Sequence, residues 1–191
     1  MMKYSLDEVI NQLRNRFTHF FEDIEDITKE DSKFEHRFVR DKIGNTVSIH
    51  HFPKNVSAED YLPTFRETMS RRGKKVDKIM KDSNRIGFLY ESDFDNSSKI
   101  IEFGKKFNKL YPNKRVIIFN IIDLKEKIPT CLYSVNNVSK NLTVVTIQFH
   151  DVPVDKNGEE YESWRGNESK WDKYVLPHIV ASDKLKQRLS S

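Results

Sequence analysis

Val9, Ile10, Leu13, Phe17, Phe20 and Phe21 recur at three- and four-residue intervals behind a Ser5/Glu8 capping box. That spacing predicts an amphipathic first helix ending before the acidic run that starts at Glu22. The pattern then changes. The stretches from Phe34 to Arg40 and from Thr46 to Phe52 are rich in β-branched and aromatic residues and flank Ile43-Gly44-Asn45, the signature of a hairpin, with Pro53 ending its second strand. Ser57 with Asp60 caps a second helix whose apolar face is formed by Tyr61, Leu62, Phe65, Met69, Val76, Ile79 and Met80. Gly73 marks a break in the middle of that helix.

From Arg85 onward strand and helix alternate. Ile86 to Tyr90 reads as a buried strand, Ser97 to Leu110 as a helix, and Val116 to Phe119 with Ile121 and Ile122 as a continuous apolar run. Such a run predicts a strand covered on both faces, as in a parallel sheet, with a right-handed crossover. Further strands are expected at Cys131 to Val135 and Leu142 to Phe149. A polar loop from His150 to Ser163 and helical pieces at Ser169 to Leu176 and Ser182 to Leu189 follow. The fold class is α/β: a three-layer sandwich with a mixed, largely parallel central sheet, Rossmann-like, plus an N-terminal helix and hairpin, in one domain over residues 1–191.

Composition narrows the function classes. A chain of 191 residues, 37% hydrophobic and 12% aromatic, has enough apolar material for one sizeable core. The net charge of +4 comes from 33 basic and 29 acidic residues interleaved along the chain, and the densest basic cluster is Arg71, Arg72, Lys74, Lys75 and Lys78. That cluster lacks the interleaved aromatics of a nucleic-acid surface, so nucleic acid is not the expected partner, whereas the mixed charges suit a protein partner. The single cysteine, Cys131, excludes an internal disulfide framework. Without a signal-like apolar run or a membrane span, the expected location is cytoplasmic. No P-loop, dinucleotide glycine loop, zinc spacing or nucleophile elbow occurs, which counts against kinases, dehydrogenases and zinc enzymes.

The candidate chemistry centres on the end of the Ile86 strand, where Glu91, Asp93 and Asp95 precede Asn96 and Ser97. Asp93 and Asp95 could present their carboxylates to one Mn²⁺ or Mg²⁺. The competing expectation is an Asx turn that caps the following helix. Arg71 and Arg72 are candidate clamps for the phosphates of a bound nucleotide. Glu91, His50 and His51 are candidate general bases, though adjacent strand residues face opposite ways and only one of the histidines can enter a given site. Trp164 is a candidate stacking surface for a sugar ring, with core packing of both Trp164 and Trp171 as the competing expectation, and His150-Asp151 is a second strand-end pair.

Several short stretches carry a likeness to a known family: the aromatic cluster Arg16-Phe17-Thr18-His19-Phe20-Phe21, the strand end Ser48-Ile49-His50-His51-Phe52, the helix from Phe65 through Arg71-Arg72 to Ile79, the strand Ile86 to Tyr90, Tyr111-Pro112, and Trp164-Arg165-Gly166-Asn167 with Trp171-Asp172. Taken together they resemble a family of uncharacterised bacterial and viral proteins described as papain-like cysteine peptidases. Members of that family carry their cysteine in an N-terminal block ahead of the first helix. Here the chain runs from Met1-Met2 almost directly into that helix, and Cys131 lies in a later strand. Peptidase activity is therefore not expected. Such proteins also resemble modules that accompany surface-polysaccharide machinery, which implies a glycosyltransferase-like domain taking a nucleotide-sugar donor and a glycan acceptor. The alternative implication is a cysteine-less papain-like relative serving as a non-catalytic binding scaffold.

Overall fold

The computed structural model describes residues 2–3, 5–29, 31–124, 131–161 and 166–179. Trp164 and the helical piece expected from Ser182 lie outside them. The chain is mixed α/β and divides into two compact units: residues 1–86 with 102–114, and residues 87–101 with 115–191.

The first unit holds β1 (Met2–Lys3), α1 (Leu6–Arg14), β2 (Ile24–Asp26), β3 (His36–Asp41), β4 (Thr46–Pro53) and α2 (Ala58–Asp82). Its sheet is antiparallel, in the order β1-β4-β3-β2. The expected hairpin is present: β3 and β4 pair from Asp41↔Thr46 outward, and Asn45 adopts the left-handed conformation, φ 49°, that its turn demands. Beneath the hairpin Asp41 is buried and ties two segments together, accepting hydrogen bonds from the backbone N–H groups of Ile43 and Phe21. Phe20, Phe21, Val39, Phe52, Ala58, Phe65 and Met69 form the core between this sheet and α2. Phe21 and Phe52 are completely buried, each contributing on the order of 2–3 kcal/mol of hydrophobic stabilisation.

Two sequence expectations fail here for identifiable reasons. The first helix, capped by Ser5 as expected, stops at Arg14 rather than running to Phe21. It ends in a Schellman motif: the N–H of Phe17 reaches Gln12 O and that of Arg16 reaches Leu13 O. Arg16, at φ 52°, holds the left-handed position usually given to glycine, and Phe17 and Phe21 are also left-handed, at φ 60° and 56°. Without a glycine or proline, the reversal carries no sequence signal. The second failure is Gly73, which does not break α2; the helix runs unbroken for 25 residues. A Cβ at Gly73 would lie 2.8 Å from Phe17 Cβ, so glycine serves there to let the 15–21 turn press against the helix.

The second unit is built on a sheet of β5 (Arg85–Ser92), β6 (Arg115–Asp123), β7 (Leu132–Ser139) and β8 (Leu142–Phe149), in the order β5-β6-β8-β7. Strands β6 and β8 are parallel and fully in register from Val116↔Leu142 to Asp123↔Phe149, while β7 runs antiparallel to β8. The continuous apolar run is explained: β6 and β8 are central, with Phe119, Ile121, Val145, Ile147 and Phe149 packing on Val175. The buried strand expected at Ile86 to Tyr90 is instead an edge strand, and of its residues only Ile86 is buried. The helix that links β5 to β6, α3 (Ser97–Leu110), has the boundaries read from the sequence. After β8 the described residues include α4 (Glu168–Lys170), which passes into a π-helical turn over Trp171–Val175. No helix among the described residues is long and apolar enough to cross a membrane.

Candidate functional site

In the second unit, β5, β6 and β8 bring their final residues to one edge of the sheet. Glu91, near the end of β5, senses Asp151 just past β8 and Asp123 at the end of β6, so the three carboxyl ends lie together. This is the edge at which ligands of α/β sheets gather. The Glu91 carboxyl is solvent-exposed, yet its pKa is raised, first by partial desolvation and then by the negative charges of Asp151, Asp123 and Asp93.

The two aspartates behind it are fixed in place. Asp123 Oδ1 accepts the backbone N–H of Asp151 at 2.7 Å. Asp151, itself buried, accepts the N–H of Asn167 at 2.8 Å and the indole Nε1–H of Trp171 at 2.8 Å. It thus fastens the C-terminal helical segment to the end of β8. Gly166 makes this possible: at φ 61° it passes so close that a Cβ would lie 2.2 Å from Asp151 Oδ2. His150 is similarly committed, with Nδ1 2.6 Å from Leu124 O and Nε2 3.2 Å from Glu160 Oε1.

Asp93 is exposed beside this edge. Asp95 is engaged locally: its Oδ1 accepts both the N–H of Ser97, at 2.8 Å, and the Ser97 hydroxyl, at 2.5 Å, and these bonds hold its pKa below the usual carboxylate range. That is the Asx turn weighed in the sequence, and it leaves the aspartate pair fewer free oxygens than its spacing suggests. Among the described residues, no group of three or more His, Cys, Asp or Glu side chains is disposed to hold a metal ion.

The remaining candidates belong to the first unit. His51 and Arg72 are brought together, with Arg72 Nη1 3.4 Å from His51 Nε2 and Ser48 Oγ 3.1 Å from His51 Nδ1. Because a guanidinium only donates, Nε2 is the acceptor and Nδ1 carries the hydrogen that Ser48 receives. The His51 pKa is lowered, first by desolvation and then by neighbouring positive charges that include Arg72. Both residues line an apolar slot of about 340 Å³, together with Phe17, Phe20, Met69 and Val76. His50 points away and stacks edge-on with His36, ring centroids 5.6 Å apart. Its pKa is lowered too, mainly by desolvation. Arg71, one residue before Arg72 on α2, is exposed and does not line this slot.

Trp171 packs on Phe149 as a core residue, its ring nearly perpendicular at 6.1 Å. Cys131 packs against the core of the second unit, and burial pushes its thiol pKa up. Comparison with protein-family models, with curated proteins and with solved structures returns no match to this chain.

Proposed function

We propose that the second unit is the reactive part of a glycosyltransferase-like domain, with Glu91 as the general base that activates an acceptor hydroxyl toward a nucleotide-sugar donor. The observation that supports this most directly is Glu91 itself. It is an exposed carboxyl at the carboxyl edge of the sheet, and fixed neighbouring aspartates raise its basicity. In the step, the acceptor hydroxyl gives its proton to the Glu91 carboxylate as its oxygen bonds to the anomeric carbon. The bond from that carbon to the nucleoside diphosphate breaks, and its electron pair leaves on the phosphate oxygen. The anchoring of Asp123 and Asp151 keeps the negative field at Glu91 constant through this step. In this proposal β5, α3, β6 and β8 form the parallel part of a Rossmann-like three-layer arrangement.

Thermal-shift titration with UDP-, GDP- and TDP-sugars, with and without Mn²⁺, tests donor binding through ligand linkage. Donor turnover in the presence of glycan acceptors tests the chemistry. Glu91→Gln should lower turnover by about 10²-fold or more while leaving the fold intact. If no donor shifts the midpoint, or if Glu91→Gln turns over like the parent, the transferase assignment fails.

A second function, the non-catalytic scaffold, is favoured by Cys131. Its raised thiol pKa opposes the thiolate that a papain-like nucleophile requires. Iodoacetamide labelling of Cys131 should be slow at neutral pH, and rapid labelling would count against this alternative.

A further inference from the structure

The turn at residues 15–21 is strained, and what it builds is a pair of adjoining clefts. Three non-glycine residues in seven are left-handed, Arg16, Phe17 and Phe21. Each such residue stores backbone strain, and outliers of this kind cluster where a ligand is clamped. The turn is also fixed from outside. Arg66 on α2 donates through Nε and Nη2 to Phe21 O, at 3.0 and 2.6 Å, and through Nη2 to Glu22 O at 3.0 Å. These contacts run through Nε and Nη2 and do not use Nη1.

On one side of the turn lies a cleft of about 380 Å³ whose cations are Arg16, Arg66 and Lys74, with Thr18 and Ser70 also in its lining. The carboxylate in its wall, Glu22, is already paired with His19 Nδ1 at 2.7 Å. Arg16 is only loosely engaged, 3.9 Å from Asp77. On the other side lies the apolar slot that holds His51 and Arg72. Phe17, Phe20 and Met69 line both clefts, so the two share a wall. Each volume is near the lower end of the roughly 300–1,000 Å³ range of small-molecule sites.

We infer that this first unit binds a nucleoside diphosphate, with its phosphates among Arg16, Arg66 and Lys74 and its base in the slot lined by Phe17, Met69 and Val76. The chemistry of the two halves selects this class. Guanidinium forks and an ammonium group match the oxygens of a multiply charged phosphate. An aromatic and thioether lining takes a flat heterocycle, while Arg72 at the slot has further N–H groups for its polar edge. Arg66 is pre-organised by its backbone contacts, so its Nη1 is presented with little further ordering cost. The site involves neither Glu91 nor the strand-end aspartates, so it stands or falls apart from the transferase chemistry.

Calorimetric titration of the full chain with UDP and ADP, and with uridine and inorganic pyrophosphate as the two halves, tests it. At least one of the diphosphates should saturate, with uridine and pyrophosphate about tenfold or more weaker. Lys74→Glu should cost about tenfold or more in affinity. Arg16→Gly should cost affinity as well, while its thermal midpoint is unchanged or higher, which separates a lost ligand contact from a damaged fold. Lys99→Glu, an equal change of charge on α3, should bind like the parent. The inference is overturned if neither diphosphate saturates at millimolar concentration, if Lys74→Glu and Arg16→Gly bind like the parent, or if pyrophosphate alone matches the nucleotides.

Discussion

Arg16 shows how one residue can serve a cleft at the expense of the backbone. Glycine at that position would adopt φ 52° without strain, so Arg16→Gly should stabilise the chain by about 1 kcal/mol, measurable as a higher denaturant midpoint at unchanged slope. Gly166 presents the opposite case. Alanine there would combine a left-handed backbone with a Cβ 2.2 Å from Asp151 Oδ2, and Gly166→Ala should cost upwards of about 2 kcal/mol in chemical denaturation. Glu91 carries a pH signature. A carboxyl whose folded pKa is raised contributes stability that is full below the ordinary glutamate range and is lost as pH rises through the raised value. Glu91→Gln should therefore be more stable than the parent at neutral pH, by less than about 1 kcal/mol given the exposure of the group, and indistinguishable from it near pH 3. Little of this was legible in the sequence. Asp95 announced its Asx turn through Ser97, and His51 with Arg72 could be named. The Arg16, Arg66 and Lys74 cleft could not, because it depends on a chain reversal that no glycine or proline marks.

Among the elements, α3 was readable to the residue, because Ile100, Phe103 and Phe107 keep strict helical spacing and become buried. α2 was equally clear at its start. Its Ser57 side chain accepts the N–H of Asp60 at 3.1 Å, and Ser57→Ala should lower stability by about 1 kcal/mol. The end of α1 was not readable. Phe17, Phe20 and Phe21 continue the helical spacing of Ile10 and Leu13, yet Phe20 and Phe21 reach the aromatic core only because the chain leaves the helix at Asn15. Strand β5 misled for a related reason. Its side chains are apolar enough for a central position, while its place at the edge is decided by which strand pairs with β6. Pairing partners are a tertiary property, and composition within one strand does not specify them.

At the scale of the whole molecule the mixed α/β class followed from the pattern of the chain, whereas the division into two units with separate sheets did not. Each core should be individually indispensable. Phe52→Ala in the first and Ile147→Ala in the second remove completely buried side chains, and each should cost about 3–5 kcal/mol in calorimetric or denaturant unfolding. Strand β7 has a consequence of another kind. It lies at the end of its sheet, nearly all of its eight residues are exposed, and Leu132, Tyr133 and Val135 stand among them. Among the described residues no strand pairs with the outer edge of β7, and a row of amides and carbonyls beside exposed apolar side chains is a template for cross-β stacking between molecules. Concentrated solutions should therefore thicken into fibrils through this rim first, and a lysine in place of Val135 should delay their appearance in thioflavin fluorescence.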